Sequence, residues 1–329
     1  MRRVLWAGPY WLTAIVVLLC RCVPRFADRW RRGVILPVSA LLCRMGGLIP
    51  YVLALAALLV FLRALHLRRY RWVARVICAF TAAAVSGYGL LWLPLYYAPQ
   101  ARPYAIDQRA DAVALEQLAR GLIAELASKT ASPPADIPFT AQRALAALPE
   151  LSLRDGARPR AARWPHWMAW LRLSGVYLPW FGEALYSPAQ PANAQLFTAC
   201  HELAHLAGIA DEGQANIVAW RACIKMGGAA ARSARLHALA CALPRLYREA
   251  PAAWMRCAAK IDGQTLDDLR AMGGLTGARA GGRPLLSAFA QWMGIGEALE
   301  DYGDLVDYLA GKLGEVQGAN WHEVLEPKL

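Results

Sequence analysis

The sequence predicts a mainly α-helical protein in which N-terminal transmembrane helices precede a mostly helical domain with one small strand or hairpin element. The first observation is composition, since 57% of the 329 residues are hydrophobic and 18% are charged, which is too apolar for an ordinary soluble enzyme. The second is the concentration of long uncharged runs before residue 102. The third is the helical spacing of apolar residues after it. We therefore expect a membrane domain over 1–101 and a second domain over 102–329.

Three uncharged runs predict membrane-spanning helices at about 4–20, 45–62 and 76–98. A helix needs about 20 apolar residues to cross the hydrocarbon layer, so the third run is long enough and the first two are near the lower limit. A shorter run, 33–43, is bounded by arginines and predicts an interfacial or re-entrant helix. The lipid bilayer is therefore an expected partner.

The net charge of +12 belongs entirely to the first part of the chain. Residues 1–99 contain 13 arginines, no lysine and one acid, whereas the remaining residues contain 23 basic and 23 acidic side chains. Arginines beside apolar runs match anionic lipid headgroups and determine membrane orientation. A basic groove for phosphates is missing from the neutral second part, so we expect no nucleic-acid partner.

The orientation follows from the arginines that flank the three spans, which divide seven against seven between the two sides. The tight, arginine-rich loop 63–75 between two spans is the cleaner signal for the cytoplasmic side. It predicts a cytoplasmic amino terminus and a carboxyl-terminal domain outside the cytoplasm.

The second domain begins with an amphipathic helix over about 106–128, since leucines recur there every three or four residues. Prolines predict a break at 132–138, a short helix capped by Thr140, and a second break at 155–165. The segment 175–187 combines aromatic and β-branched residues with proline and glycine breaks, which predicts a strand or hairpin. The four cysteines of this domain match neither a zinc ribbon nor a disulfide framework, so we expect buried thiols.

Residues 193–220 contain the motif His201-Glu202-x-x-His205. On a helix the two histidines are about 40° apart in azimuth and about 6 Å apart along the axis, which lets both imidazoles bind one zinc ion. Glu202 can reach a water on that metal and act as general base. The alternative is a chance motif with a solvated histidine pair, but the apolar helix around it favours a buried metal site.

The third ligand is expected from the turn that follows. Gly208 is placed to end the helix in a left-handed conformation, and Asp211 with Gln214 forms a variant capping box for the next helix. The chain then doubles back and brings Glu212 beside the metal. Gln214 and Asp211 are the competing ligands, although a neutral amide binds zinc poorly and Asp211 suits the capping role. Asn216, one turn after Glu212, is expected to hydrogen-bond a ligand histidine.

Four further residues are weaker candidates for the site. His237, Tyr247 and Tyr302 are candidate donors to the oxyanion of a hydrolytic reaction, although each is also an ordinary packing residue. If 175–187 forms an edge strand above the metal helix, an extended peptide can pair with it. Glu183 then either reads polar groups of the substrate or braces the helix.

The motif HELAH, Gly208 and the Glu-x-x-Ala-Asn run from Glu212 to Asn216 resemble the bacterial domain-of-unknown-function family 3810. The similarity includes three hydrophobic spans, the segment GVYLPWFGEA and the stretch EDYGDLVDYL. The resemblance implies a zincin-like, gluzincin-type metallopeptidase anchored in the bacterial inner membrane. The family usually has Gln where this chain has Leu206, and commonly an acid where it has Gln214.

The Glu-x-x-Ala-Asn run is also similar to the Glu-x-x-Ala-Asp run of membrane peptidases that process prenylated or misfolded membrane proteins. This similarity supports Glu212 as the third ligand. The resulting hypothesis is a membrane-anchored peptidase that acts on a peptide or protein, with Zn²⁺ held by His201, His205 and Glu212 and with Glu202 as base. The alternatives are a non-catalytic membrane protein with a structural or vestigial zinc site, and a zinc amidase that acts on cell-wall peptides.

Overall fold

The computed structural model describes residues 4–45, 48–106, 109–128, 131–151, 153, 156–171, 173–272 and 303–315. Within these ranges the chain is mainly helical and contains one three-stranded sheet, which confirms the predicted mainly α class with a small strand element.

The N-terminal part is a series of helices joined by short turns. They are α1 (Val4–Cys22), α2 (Pro24–Trp30), α3 (Leu36–Arg44), α4 (Leu48–His66) and α5 (Tyr70–Leu91). A π-helical turn, Arg31–Ile35, joins α2 to α3, and two 3₁₀ turns, Leu93–Tyr97 and Pro99–Ala101, follow α5. The predicted interfacial run 33–43 therefore forms the second half of a longer helical segment. Helix α1 packs along α5, which also contacts α4.

One helix of the described residues is long and apolar enough to cross a membrane, the stretch Tyr70–Tyr97 of 28 residues. It contains most of the predicted span 76–98, and only 11% of its most apolar window is buried. The apolar parts of the other two predicted spans are shorter, Gly8–Cys22 and Leu55–His66. Three transmembrane helices are therefore not confirmed, because by length and composition only α5 and its 3₁₀ extension meet the requirement.

The second part of the chain is helical around one hydrophobic core. Its helices are α6 (Ala112–Ser128), α7 (Ile137–Ala146), α8 (Pro165–Leu171), α9 (Ala192–Leu206), α10 (Glu212–Met226), α11 (Gly228–Glu249), α12 (Pro251–Ala258), α13 (Gly263–Met272) and α14 (Gly303–Glu315). Helix α9 lies in the middle, where it packs against α7, α10, α11 and the sheet. The motif helix therefore lies within the core of this part, with most of its residues buried.

Two helix starts differ from the sequence prediction in a way that capping explains. Helix α6 begins at Ala112, several residues after the predicted start, because Asp111 accepts a hydrogen bond from the amide of Ala114 at 2.8 Å. Helix α7 begins at Ile137, and its cap is Asp136, which accepts the amide of Phe139 at 2.8 Å. The prediction of Thr140 as the cap was wrong. The carboxylate of Asp136 caps the helix four residues earlier, because it can reach the amide of Phe139.

The small sheet consists of β1 (Arg160–Ala161), β2 (Gly175–Leu178) and β3 (Glu183–Tyr186), in the order β1-β3-β2. Strands β2 and β3 form an antiparallel hairpin with Gly175 opposite Tyr186, which confirms the prediction for 175–187. Strand β1 pairs parallel with β3 and lies in the predicted loop 155–165. The central strand β3 is buried, whereas the residues of β2 are partly exposed.

The hairpin joins the two parts of the chain. The indole nitrogen of Trp180, in the hairpin turn, donates to the carbonyl oxygen of Ala84 in α5 at 3.0 Å. The hydroxyl of Tyr177 in β2 donates to the hydroxyl oxygen of Ser39 in α3 at 3.2 Å. The two segments separated at residue 101 in the sequence are therefore in direct contact along the hairpin.

The eight cysteines are free. Cys200 and Cys223 are buried with their sulfur atoms 3.5 Å apart, and they pack α9 against α10 directly behind the metal-binding motif. The prediction of buried thiols is therefore confirmed for Cys200, Cys223 and Cys257, whereas Cys241 is partly exposed.

Candidate metal centre

Helix α9 carries His201, Glu202 and His205 in its last two turns. It ends where Gly208 adopts a φ of +88°. The amide of Gly208 donates to the carbonyl of His205 at 2.9 Å, and the amide of Ile209 donates to the carbonyl of Ala204 at 3.2 Å. This pair of bonds is the left-handed helix termination that the glycine predicts. It reverses the chain immediately after the second histidine.

The start of α10 then decides among the three possible third ligands. Asp211 caps the helix, since its Oδ1 accepts the amide of Gln214 at 3.0 Å, and its Oδ2 lies 3.1 Å from Arg102. The side-chain amide of Gln214 pairs with the backbone of Tyr104, donating at 2.8 Å and accepting at 2.9 Å. The capping role of Asp211 is confirmed, and both competitors are engaged elsewhere. Glu212 is the residue whose carboxylate faces the histidines.

Three side-chain ligand atoms converge at this point. The Nε2 atom of His201 lies 3.0 Å from Oε2 of Glu212 and 3.0 Å from Nε2 of His205. The Nε2 atom of His205 lies 3.4 Å from Oε1 of Glu212. Ligands bound to a tetrahedral zinc at about 2.0–2.1 Å are separated from one another by about 3.3 Å. The spacing and the set of two imidazoles and one carboxylate therefore fit a zinc ion that keeps a fourth position open.

The ring of His205 is oriented by the turn that follows the helix. Its Nδ1 lies 2.6 Å from the carbonyl oxygen of Ile209, so Nδ1 carries a proton and Nε2 is the nitrogen that faces His201 and Glu212. Asn216, predicted for this orienting role, is buried on α10, but the backbone of Ile209 holds the outer nitrogen of His205. The outer nitrogen of His201 is buried without a hydrogen-bond partner among the described residues.

The ligand side chains form a strongly coupled charge cluster in the metal-free state. Burial by itself raises the pKa of Glu212, but the neighbouring His205 and His201 hold that pKa well below its usual range. Burial by itself lowers the pKa of His205, but the Glu212 carboxylate raises it to about 9. The centre therefore favours a positive charge between the carboxylate and the imidazoles, which is the charge that a divalent cation supplies.

Glu202 lies beside this cluster but outside the ligand set. Its side chain is buried, and burial raises the pKa of its carboxyl group to about 7. The carboxylate rests against the backbone of Gly175 in β2, where a Cβ atom would lie 2.3 Å from Oε1 of Glu202. Any side chain at residue 175 would displace the carboxylate. The strand and the general-base candidate are therefore in direct contact because residue 175 is glycine.

An aromatic wall that the sequence analysis missed encloses His205. The ring of Trp92 meets the His205 ring edge-on with a centroid distance of 5.5 Å, and the Tyr177 ring lies at 6.4 Å and is stacked. Trp92 also contacts Tyr177 at 5.3 Å and Tyr96 at 6.4 Å. The sequence signal was the aromatic-rich end of the third apolar run, which was interpreted only as part of a span.

The sequence analysis also missed Arg31, which hydrogen-bonds to the C-terminal end of α9. Its guanidinium is buried and donates to the carbonyl oxygens of Gly208 at 3.1 Å and Ala207 at 3.0 Å. These carbonyls belong to the C-terminal end of α9, where a positive charge is favourable. In the sequence Arg31 was counted with the arginines that face lipid headgroups, and nothing local distinguishes it from them.

Glu183 lies in β3, where it braces the sheet. It is buried and forms an ion pair with Arg160 of β1 at 3.3 Å. Arg160 also donates to the carbonyl oxygen of Cys43 in α3 at 3.4 Å. These contacts join the sheet to the N-terminal helices, and the role of bracing the motif helix stays a prediction.

The candidate oxyanion donors occupy different places. His237 on α11 stacks on Phe197 with a centroid distance of 4.3 Å, and its Nε2 lies 3.5 Å from the hydroxyl of Thr198, one turn before His201. Tyr247 is half exposed and packs against Trp254, away from the motif. Tyr302 lies outside the described residues. His237 is therefore the one that approaches the motif helix.

Comparison with known proteins gives one match. A family model described as a protein of unknown function (DUF3810) matches residues 32–285 of the 329. The matched range includes the hairpin, His201, His205, Glu212 and the aromatic wall, and it begins one residue after Arg31. No curated protein and no solved structure matches the chain.

Proposed function

This chain belongs to the DUF3810 family, whose description assigns no activity, and we propose that it is a zinc-dependent peptidase held in a membrane. The observation that carries the proposal is the convergence of His201, His205 and Glu212 on one point, with the Glu202 carboxylate free of that ligand set and next to it. A purely structural zinc site commonly has four protein ligands, whereas three ligands leave a position for water or substrate. The donor set thus favours catalysis.

Each residue of the proposed site has a separate role in hydrolysis. His201, His205 and Glu212 would hold the ion, which when bound polarises the scissile carbonyl and makes a water more acidic. Glu202 takes a proton from the attacking water and delivers it to the leaving amine. In the metal-free protein burial raises the pKa of Glu202 to about 7, and a divalent cation beside the carboxylate would lower that pKa. Ile209 keeps the His205 ring in the tautomer that leaves Nε2 available.

The edge strand β2 supplies a binding surface for an extended peptide. Among the described residues β2 pairs only with β3, so its outer edge can accept a further strand. Its first residue, Gly175, lies against Glu202, and its third, Tyr177, lies against His205. A peptide paired with β2 would therefore pass the general base and the ligand cluster with its backbone extended.

The membrane assignment has support in the surface of the N-terminal helices. Large apolar side chains are exposed on α1, α4 and α5, among them Trp11 at 68%, Leu58 at 51% and Phe80 at 65%. Contiguous apolar surface of this kind is rare on soluble proteins. The proposed location is the bacterial inner membrane with three spans near 4–20, 45–62 and 76–98 and with the second domain outside the cytoplasm.

The test is the Glu202→Gln variant beside the wild type, both purified in detergent with zinc. We expect both proteins to contain about one zinc per chain, since Glu202 is not a ligand. Hydrolysis of a quenched fluorescent peptide library is expected to fall by about 10²- to 10⁴-fold in the variant, the usual contribution of a general base. Glu116→Gln, which removes an exposed carboxylate paired with Arg256, is the control and should keep full activity.

Three outcomes would contradict the proposal in different ways. Equal hydrolysis by wild type and Glu202→Gln rules out this base. Zinc-loaded wild type without any hydrolysis favours the non-catalytic alternative. Release of amide-linked fragments from cell-wall peptides, with no cleavage of the library, favours the amidase.

A further inference from the structure

We propose that the polypeptides cut at this centre are anchored in the membrane, with the cleaved bond at the lipid–water boundary and the neighbouring segment inside the bilayer. The inference rests on the peptidase function proposed above and assigns its substrate class. It comes from the position of the metal centre and of strand β2 along the helix Tyr70–Tyr97.

The metal centre lies beside the end of this apolar helix. Trp92, whose ring contacts that of His205, belongs to the stretch Tyr70–Tyr97. The indole nitrogen of Trp30 donates to the carbonyl oxygen of Leu90 at 2.9 Å, which fixes the same end of the helix against α2. If this stretch crosses the bilayer, its last turns lie near the boundary, and His205 lies at the same depth.

Strand β2 runs from the metal centre toward the middle of the same helix. At its start Gly175 contacts Glu202, and at its third residue Tyr177 contacts Trp92. Beyond the strand, the Trp180 side chain bonds the carbonyl of Ala84. Ala84 precedes Trp92 by two helical turns, which is about 12 Å along the helix axis. The hairpin therefore extends from the metal centre toward the middle of the helix Tyr70–Tyr97.

Small residues let the hairpin turn approach this helix closely. A Cβ atom on Gly87 would lie 2.4 Å from the Cδ1 atom of Trp180, and the Tyr88 ring stacks with the same indole at 6.2 Å. Non-helical backbone at membrane depth is tolerated where it is covered by protein or lines a polar cavity. The buried strand β3 meets the first condition. The partly exposed strand β2, which pairs only with β3 within the described part of the chain, needs a partner for its outer edge.

An extended segment of the substrate would supply the hydrogen-bonding partner that the outer edge of β2 needs. Paired with β2, it would have one end at Glu202 and the other beside Ala84, toward the middle of the apolar helix. A soluble peptide would have to place its charged or polar flanking residues in the hydrocarbon layer, which is energetically unfavourable. A chain with an adjoining membrane segment has apolar residues there and avoids this cost. The occupant that fits is therefore an anchored polypeptide.

Two exposed tryptophan side chains that precede β2 in the chain support the placement of the metal centre at the lipid–water boundary. Helix α8, which directly precedes β2, buries Met168 but exposes Trp170 at 59%, and Trp164 just before it is 69% exposed. Tryptophan is enriched where protein crosses the membrane–water boundary. The exposed Arg163 next to Trp164 is suited to lipid phosphates. This face would meet the boundary with the metal centre beside it.

The activity test uses full-length, zinc-loaded protein in vesicles of phosphatidylethanolamine and phosphatidylglycerol. One probe is a quenched fluorescent peptide library linked directly to phosphatidylethanolamine, and the matched probe carries a long polyethylene glycol spacer between lipid and peptide. We expect at least tenfold faster cleavage of the directly linked probe, with no cleavage of either by Glu202→Gln. Equal rates for both probes overturn the substrate class alone. Failure to cleave both overturns it together with the peptidase function.

A depth measurement checks the placement without relying on activity. A nitroxide is attached at Leu178→Cys, at the end of β2 farther from the metal centre, in a background with Cys22→Ser and Cys78→Ser, the two exposed native thiols. We expect relaxation of this label by oxygen and protection from a water-soluble nickel complex. The control label at Arg256→Cys, on an exposed side chain of α12, should respond to nickel. Equal nickel access at both positions would place β2 in water and overturn the inference.

Discussion

At the scale of single residues, the absence of a side chain at Gly175 lets the carboxylate of Glu202, the proposed general base, contact strand β2. Gly175 lies in β2, and the space that its Cβ would occupy is filled by the Glu202 carboxylate. Neither residue depends on an unusual backbone conformation there, so the requirement is purely one of space. The position of the base is therefore set by the strand as well as by the helix that carries it.

The substitution Gly175→Ala tests this contact. The new methyl group would push the carboxylate away from the strand, and we expect kcat for peptide hydrolysis to fall by about 10- to 100-fold, since misplacement of a catalytic group by about 1 Å has effects of this size. Zinc content should remain unchanged, because Glu202 is not a ligand. Gly263→Ala, where a Cβ meets no atom within 4 Å, is the control. Unchanged kcat in Gly175→Ala would show that the contact has no role.

At the scale of the secondary-structure element, the end of α9 matters as much as the motif within it. The turn after the helix holds His205 through the carbonyl of Ile209, and Arg31 holds the turn through the carbonyls of Ala207 and Gly208. A Cβ on Gly208 would lie 2.9 Å from the Nε of Arg31, so the glycine also makes room for the guanidinium. The N-terminal part of the chain thus positions His205, a proposed metal ligand, through two successive backbone contacts.

The substitution Arg31→Met is expected to weaken zinc binding by about 10- to 100-fold, the usual effect of losing a partner that orients a ligand. The measurement is a competition titration with a zinc chelator on purified protein. The zinc affinity of Arg31→Lys should lie between those of the wild type and Arg31→Met, because a lysine keeps the charge but has no planar group that can donate to two carbonyls. Arg32→Met changes an exposed neighbour and serves as control. Equal affinity in Arg31→Met and Arg32→Met would contradict the positioning role.

At the scale of the whole molecule, the N-terminal helices complete the metal centre. Trp92 and Arg31 come from the segment that the sequence divides from the second domain at residue 101, and both contact the end of α9. The hairpin adds further contacts with α3 and α5. The N-terminal helices and the second part of the chain are therefore in direct contact around the candidate metal centre.

We expect the fragment 102–329 to lose at least about tenfold in zinc affinity relative to the full chain, since its His205 would lack both the aromatic wall and the anchored turn. Size-exclusion chromatography followed by metal analysis measures this. Trp92→Ala in the full chain tests the wall alone and should weaken zinc binding without loss of helix content. A monomeric fragment with full-length affinity, or unchanged affinity in Trp92→Ala, would show that the centre is independent of the N-terminal helices.

The sequence by itself determined the parts of this protein that depend on neighbouring residues. The helical spacing of His201 and His205, the glycine that ends their helix and the aspartate that begins the next all act within about a dozen residues. Together they predicted that the Glu212 carboxylate would lie beside the two imidazoles, as it does. That Glu212 binds a metal stays a prediction. The hairpin at 175–187 followed from its composition in the same way.

Only the tertiary structure decided what surrounds that cluster. Arg31 and Gly208 are 177 residues apart in the chain, and nothing in the sequence near either one points to the other. The same holds for Trp92 against His205 and for Gly175 against Glu202, where shape and burial select the partners. Hydrogen-bond capping and helical period are local properties, whereas the enclosure of a metal centre depends on which distant segments fill the same space.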